Sequence, residues 1–301
     1  MSASVLFDAP GPKARARHAV LTAVGILLIL AFLAFALWKL GDKGNLAPEL
    51  WTPFLTSEIW VSYLIPGLIN TLKAAAVSVL LAGIFGLVFG LGRLSHNGVV
   101  RWVSTVVVEF FRSVPVLIMM IASFYLYANN NVFSSDLNPF AAVVTGLTLY
   151  NGSVVAELIR SGVGSLPKGQ AEAGLSIGLT RSQTLRTIQL PQAITAMLPA
   201  LVSQLVVVLK DTALGQIITY PELLTTYSQI GSYKGNIVPS MIVIAIIFII
   251  INYVLSRLAG YVEGRLRSRG RATIPGPTVG TDATADVETT AVDETGAPSG
   301  R

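Results

Sequence analysis

Long, continuous blocks of apolar residues separated by short polar segments dominate this chain. Each block is close to or longer than the roughly 20 residues that an α-helix needs to cross a bilayer, whereas strands of a membrane barrel alternate in polarity over about 10 residues. Because lipid offers the backbone no hydrogen-bonding partner, the pattern predicts an all-α integral membrane protein with six transmembrane helices. The blocks are Val20–Trp38, Leu64–Leu91, Trp102–Tyr127, Pro139–Ile159, Ala193–Leu209 (or on to Ile218) and Ile237–Leu258.

The first block has two interpretations. It follows Lys13, Arg15 and Arg17, which is also the flank of a secretory signal peptide. Its length matches the roughly 20 residues of a membrane span and exceeds the 7–15 residues of a signal core. No pair of small residues suited to cleavage follows Trp38. The block is therefore predicted to be a retained transmembrane helix.

Charged residues are scarce, and their placement carries information about topology. They make up 12% of the chain, against about 25% in soluble domains. If the N-terminus is cytoplasmic, the outer loops hold few basic residues, namely Lys39, Lys43 and Lys234. The cytoplasmic segments then hold many more: Lys13, Arg15, Arg17, Arg93, Arg101, Arg160, Lys168, Arg181, Arg186, Arg257, Arg265, Arg267, Arg269 and Arg271. This positive-inside bias predicts that both termini are cytoplasmic, and it accounts for the net charge of +5 without nucleic-acid binding, the competing interpretation.

Composition divides the chain into four parts. Residues 1–17 form a short, basic, cytoplasmic N-terminus, and residues 18–62 an extra transmembrane helix with an outer loop. Residues 63–258 form a core of five helices. Residues 259–301 form a cytoplasmic tail. From Gly270 onward this tail has little apolar surface to bury, so most of it is predicted to be disordered.

Small residues and prolines give the core its predicted packing features. Ala82, Gly86 and Gly90 lie four residues apart, a spacing that lets two helix backbones approach closely. Prolines cannot donate a backbone hydrogen bond, so each one inside a block is predicted to bend a helix or to mark its start. These prolines are Pro66, Pro115 and Pro199.

The polar segment 167–191, between the fourth and fifth blocks, is too polar to cross the membrane and too patterned for a slack loop. Pro167 suits the first turn of a helix that Gly178 would stop. Thr180 and Gln183 have the spacing of a capping box, which would open a second short helix that Pro191 ends. A cytoplasmic helix-turn-helix between two spans suits docking to another protein.

This segment resembles the permease subunits of bacterial ABC importers, whose motif is EAA-x3-G-x9-I-x-L-P. The matching residues are Glu172, Ala173, Gly174, Gly178, Ile188, Leu190 and Pro191, with Gly174 where the family usually has alanine. Further similarity covers about two thirds of the chain and includes Gly67–Leu72, Phe111–Pro115, Tyr150–Arg160, Pro191–Ala193 and Leu209–Thr212. The last two matches are typical of the polar amino-acid branch, and the whole chain is most similar to the glutamate permeases of actinobacteria.

The resemblance implies a function and a set of partners. The chain would be a multi-pass subunit in the bacterial plasma membrane that imports glutamate or another polar or acidic amino acid by alternating access. Its partners would be two ATP-binding subunits, a second permease that is identical or related, and an extracytoplasmic solute-binding protein. The segment 167–191 would form coupling helices seated in the ATPase. Glu172 would contact a basic group there, Ala173, Gly174 and Gly178 would permit close seating, and Ile188 and Leu190 would anchor the second helix.

The chain itself is predicted not to be an enzyme. It has no P-loop motif, so ATP and Mg²⁺ would bind the partner subunit and this chain would need no cofactor. Gly174–Gly178 fits the hydrolase pattern G-x-S-x-G, but both histidines, His18 and His96, precede Ser176 and the context is helical. Two isolated histidines and no cysteine give no metal site.

Ionisable residues within the spans are the candidates for a translocation path, because a charge at mid-helix costs about 2.5–3.5 kcal/mol on insertion scales. Structural interpretations stay open for most of them: Lys73 and Arg160 could snorkel, Glu109 and Arg112 could pair across one helix turn, and Lys210 with Asp211 could end a helix. An anionic solute needs cations and donors along its path. The candidates are Arg112, Glu157, Arg160, Gln204 and Lys210.

Two other functions are compatible with a multi-pass membrane protein. An ion-coupled secondary transporter would show internal repeats and broken helices near mid-membrane, and the sequence shows no clear repeat. A membrane scaffold without transport activity would need neither the coupling motif nor charges within the spans.

Overall fold

The computed structural model describes residues 11–271, which are helical with no strand among them. Five helical segments are long and apolar enough to cross a membrane, and one bent pair of helices makes a sixth span. The predicted all-α fold with six spans is confirmed. In chain order the helices are α1 (Pro12–Asp42), α2 (Ile65–Arg93), α3 (Gly98–Ser113), α4 (Val116–Asn129), α5 (Asn138–Gly164), α6 (Lys168–Ser176), α7 (Arg181–Thr184), α8 (Leu190–Asp211), α9 (Thr226–Lys234) and α10 (Ile237–Arg271).

The two terminal parts differ from the sequence expectation in their boundaries. Helix α1 begins at Pro12, so part of the basic N-terminus is helical, and none of its most apolar stretch is buried against the rest of the chain. Helix α10 continues to Arg271, beyond the predicted end at Leu258. The expectation of a disordered tail from residue 272 onward lies outside the described residues.

The core of the bundle is the packing of α2 against α5. Along α2, Ala82, Gly86 and Gly90 are buried and face α5. A β-carbon on Gly86 would collide with Val155, and one on Gly90 would lie 3.1 Å from the β-carbon of Ile159. The small residues therefore let the two backbones approach, as their spacing predicts.

The third apolar block, Trp102 to Tyr127, is a broken span, and the break lies at Pro115, where a bend or a helix start was predicted. Helices α3 and α4 meet at Val114 and Pro115 with an angle of 99° between them. Pro115 has no backbone N–H to continue the ladder of α3 and adopts an extended conformation as the N-cap of α4. Phe111 near the end of α3 packs edge-on against Phe85 of α2.

Pro66 marks the start of a helix, as predicted, whereas Pro199 lies within one. Pro66 lies in the first turn of α2, directly after a five-residue π-helical turn, Trp60–Leu64. Pro199 lies inside α8, where the hydroxyl of Ser203 donates to its carbonyl oxygen at 2.9 Å.

At the end of the bundle that carries Asn138 and α9, called here the open end, a short segment after α8 is fixed to α2. The Tyr220 hydroxyl donates to the carbonyl of Asn70 at 2.8 Å, and the Leu223 amide donates to the Thr71 hydroxyl at 3.0 Å. Glu222 is fully buried, and its carboxylate accepts hydrogen bonds from the backbone amides of Leu224 and Thr225. Burial raises the pKa of this carboxyl to about 7, against the lowering effect of those hydrogen bonds.

Candidate functional site

The polar segment after α5 forms a compact hairpin of α6 and α7, called here the hairpin, at the end of the bundle that carries Arg93. Helix α6 ends as predicted at Gly178, which has the left-handed φ of +88°. The Gly178 amide donates to the carbonyl of Leu175 at 3.0 Å, and the Leu179 amide donates to the carbonyl of Gly174 at 3.1 Å. This pair of bonds is the Schellman motif, in which a residue without a β-carbon is strongly preferred.

Helix α7 opens with the predicted capping box. The Gln183 amide donates to the Thr180 hydroxyl at 3.3 Å, and the Thr180 amide donates to Oε1 of Gln183 at 2.8 Å. These two reciprocal bonds satisfy amides that the first helical turn leaves unpaired, so the direction of α7 is fixed by its own sequence.

Gly174 lies inside the hairpin, not on its outer surface as the sequence analysis supposed. A β-carbon at this position would lie 2.6 Å from Cγ2 and 2.8 Å from Oγ1 of Thr184, and 3.1 Å from Cδ1 of Ile188. Thr184 is itself buried. Glycine at this position is therefore explained by the contact between the two short helices of the hairpin.

Pro191 does not end the second short helix, which corrects the prediction. Helix α7 passes through a π-helical turn, Leu185–Gln189, directly into α8, and together they form one helical segment from Arg181 to Ile218. Pro191 lies in the first turn of α8, where a missing backbone N–H is tolerated, and the wider π turn before it accommodates the ring. Ile188 and Leu190 are half-buried at this junction.

The outer face of α6 carries the remaining residues of the motif. Glu172 and Ala173 are exposed, and so is Gly178 at the tip. The Gln192 side chain donates to Oε1 of Gln170 at 3.0 Å, which ties α6 to the start of α8. The hairpin thus presents a carboxylate beside a small side chain on a face whose position is fixed by hydrogen bonds and by close internal packing.

A cluster of five charged side chains joins α2, α3 and α5. Arg93 lies at its centre, 2.8 Å from Glu109 and 2.9 Å from Glu157, and its side chain is only 7% exposed. Arg160 contacts Glu157 at 2.6 Å, and Arg112 lies 3.5 Å from both carboxylates. The cluster contains three arginines and two glutamates, so it has an excess of one positive charge.

Three of these residues, Arg112, Glu157 and Arg160, were predicted to lie on a translocation path, and the structure brings them together. Arg93 was predicted only as a marker of topology, and its central position in the cluster was not predicted. Long side chains on a helix lean toward its N-terminus, so an arginine at the end of α2 reaches back into the span. That geometry is the signal that could have identified it.

Gln204 lies apart from the charged cluster, in a cavity of about 290 Å³ between α2, α5 and α8. Its side-chain amide donates to Oδ1 of Asn151 at 2.5 Å, and the two are the polar groups of an otherwise apolar wall. Asn151 and Val155 line the cavity four residues apart, while Glu157 is on the other face of α5. The two sites are therefore on opposite sides of one helix.

Lys210 is not brought together with the other candidates. It lines a separate crevice of about 470 Å³ with Phe248 and Asn252 of α10. Ser176, the serine of the hydrolase-like pattern, lies in the last turn of α6 and donates to the carbonyl of Glu172 at 2.9 Å.

Comparison with known proteins identifies the family. Residues 78–268 match the family model described as a binding-protein-dependent transport system inner membrane component. The chain is 48% identical over 233 residues to the glutamate transport system permease protein GluD of Corynebacterium glutamicum, covering 77% of this chain and 85% of that protein. It is 31% identical over 210 residues to the glutamate/aspartate import permease protein GltK of Escherichia coli, covering 67% and 93%.

A solved structure agrees with these relatives. An amino acid ABC transporter crystallised with histidines superposes with a TM-score of 0.64 at 29% identity, covering 70% of this chain and 98% of that one. The family match spans more than half of the chain and includes the broken span, the charged cluster and the hairpin. The chain belongs to the binding-protein-dependent transport system inner membrane components, as a permease subunit of an amino-acid ABC importer.

Proposed function

We propose that this permease imports glutamate or another acidic or polar amino acid by alternating access, driven by ATP hydrolysis on a separate subunit that seats the hairpin. The observation that carries the proposal is the construction of the hairpin. Helix α6 packs against α7 at Gly174 and Thr184, and α7 is continuous with α8, so a force applied to the exposed face at Glu172 is transmitted through α7 into a membrane-spanning helix. In this arrangement ATP and Mg²⁺ bind the partner and this chain carries no cofactor.

The hairpin end is proposed to be cytoplasmic, with both termini on that side. The basic residues of the segments at that end, against few at the open end, support this orientation. The solute-binding protein would then dock at the open end. A second permease subunit, identical or related, would pack beside this one.

The proposed translocation path runs beside the charged cluster. Arg112 is 36% exposed and Arg160 is 45% exposed in the single chain, although both belong to spans. Charged groups within membrane-spanning segments rarely face lipid, so this surface is expected to line an aqueous path or a contact with the second permease. The excess of arginine over glutamate favours a solute with a carboxylate in its side chain, and the glutamate transport function named for GluD agrees with that preference.

The test is uptake of radiolabelled glutamate into vesicles that contain the complete transporter. Glu172→Lys should leave membrane insertion intact and abolish uptake, because it reverses the charge on the exposed face of α6. The matched control is Glu49→Lys, the same change at an exposed site before α2, which should transport normally. Normal, vanadate-sensitive uptake by Glu172→Lys would refute the coupling role. Uptake that vanadate does not inhibit would favour an ion-coupled transporter, and no uptake by the wild type would favour a scaffold.

A further inference from the structure

A cationic cleft lies between the α2–α3 connection and the hairpin. Its floor is a cavity of about 260 Å³ lined by polar and basic side chains, among them His96, Asn97, Arg181, Ser182 and Arg186. A second cavity of about 300 Å³ adjoins it. The two share Leu94, His96, Arg181 and Leu185, so they form one continuous cleft.

The positive charge of the cleft is not neutralised within the described chain. Neither Arg181 nor Arg186 forms an ion pair with any carboxylate among residues 11–271. The described lining of the two cavities includes no aspartate or glutamate. The nearby acidic residues Glu109 and Glu157 are already bound to Arg93 and Arg160 in the charged cluster. Two guanidinium groups with nearby hydroxyl and amide donors suit the oxygens of a phosphate group.

The cleft lies beside the end of a membrane-spanning segment, where the bilayer surface is expected. The membrane-spanning segment that contains α2 ends at Arg93, and the neighbouring residues Leu91 and Leu94 line the cleft. Helix α3 starts directly beyond it with Val99 and Trp102 fully outward, 72% and 67% exposed. Tryptophan is enriched at the headgroup level of membranes. At the bilayer surface, phosphate groups belong to lipid headgroups, so a phospholipid is the expected source of a phosphate for this cleft.

We propose that the cleft binds the phosphate headgroup of an anionic phospholipid from the leaflet on the hairpin side. Arg181 and Arg186 hold the phosphate oxygens, and the apolar wall at Leu94 and Leu185 contacts the adjoining part of the lipid. Because both arginines belong to the helical segment that continues into α8, a bound lipid fixes the hairpin against the end of α2. The lipid thereby sets the resting position of the element proposed to receive the ATPase, and its binding is independent of whether that coupling role holds.

The experiment is native mass spectrometry of the full-length permease titrated with phosphatidylglycerol or phosphatidylcholine. The wild type should retain one phosphatidylglycerol per chain in preference to phosphatidylcholine. Arg181→Gln combined with Arg186→Gln should weaken that binding about 30-fold, as expected when two surface cations contribute about 1 kcal/mol each. The charge-keeping pair Arg181→Lys with Arg186→Lys should retain most of the affinity, which separates a charge effect from misfolding.

The matched control removes two positive charges outside the cleft, with Arg101→Gln on α3 and Lys168→Gln on α6. This variant should bind phosphatidylglycerol like the wild type. An equal loss in the control would show general surface attraction and overturn the site. Equal binding of phosphatidylcholine, or displacement of the lipid by millimolar inorganic phosphate, would also overturn it, the latter by identifying a site for free anions.

Discussion

Gly174→Ala restores the residue that this family usually carries at the third position of its motif, yet it should damage this protein. The new β-carbon would lie 2.6 Å from Cγ2 of Thr184, about 0.8 Å short of van der Waals contact. Thr184 is buried and its hydroxyl donates to the carbonyl of Thr180 at 3.1 Å, so it has no free space into which to rotate. Overpacking of this kind costs about 1–3 kcal/mol.

The strain should be relieved by separation of α6 from α7, because α6 is short and has few other contacts. A loss of about 2 kcal/mol from the free energy of local opening corresponds to about 30-fold faster amide exchange. Hydrogen–deuterium exchange measured on peptides covering Lys168–Ser176 is the direct assay. The spans should exchange at unchanged rates, since the collision is confined to the hairpin.

Two further variants make the reasoning testable. Gly169→Ala places the same methyl group on the same helix where nothing lies within 4 Å, so it should slow exchange or leave it unchanged. Thr184→Ala removes both nearest atoms, so in that background Gly174→Ala should cost much less than it does alone. Wild-type exchange in Gly174→Ala, or an equal cost with and without Thr184, would refute the explanation for this glycine.

Three other perturbations test separate parts of the structure. Arg93→Gln should lower the free energy of unfolding of the detergent-solubilised protein by about 3 kcal/mol in a melting assay, because it leaves two carboxylates without their central partner. Arg101→Gln should leave that free energy unchanged. Gln204→Leu should destabilise by about 1–3 kcal/mol because Oδ1 of buried Asn151 loses its donor, and adding Asn151→Leu should recover part of that loss in the same melting assay. Burial raises the pKa of Glu222 to about 7 in the folded protein, above the ordinary glutamate value of 4.5, so it binds a proton more tightly when folded. Local stability of the open-end segment, measured by exchange, should therefore fall as the pH rises from about 4.5 to 7 and level off above, and Glu222→Gln should remove that slope. Local stability of the wild-type open-end segment that does not change with pH would contradict the burial of Glu222. Unchanged melting of Arg93→Gln or Gln204→Leu would contradict the contacts assigned to those residues.

The spans and the local geometry of the hairpin could be predicted from the sequence, because both depend on interactions between residues close together in the chain. The apolar blocks had the length of a bilayer, and Thr180, Gln183 and Gly178 occupied the positions that their capping geometry requires. These features are specified by residues close together in the chain, and the structure reproduces them.

The sequence was insufficient wherever tertiary packing decides the outcome. Pro115 predicted a bend or a helix start in the third block, but the angle of 99° depends on how α3 and α4 pack against the other helices and could not be predicted. Pro191 continues a helix because a π turn widens the segment before it, which spacing alone does not indicate. Arg93 became central only when α2, α3 and α5 were placed side by side.

The same limit applies to the path residues. Arg112, Glu157 and Arg160 are near in space, but Gln204 and Lys210 lie in two other places. Their shared polarity within apolar blocks was the reason for grouping them, and polarity carries no information about which face of a helix a side chain occupies.

Photo-cross-linking from the hairpin tests the central claim most directly. The chain has no cysteine, so Ala173→Cys supplies a single thiol on the exposed face of α6 for a maleimide–benzophenone reagent, and Ser57→Cys supplies the control at an exposed site before α2. In the assembled transporter, position 173 should cross-link to the ATP-binding subunit, with a yield that changes when vanadate traps the nucleotide, and position 57 should not. A hairpin that cross-links to no ATPase, or that is labelled only from the extracytoplasmic side, would contradict the account.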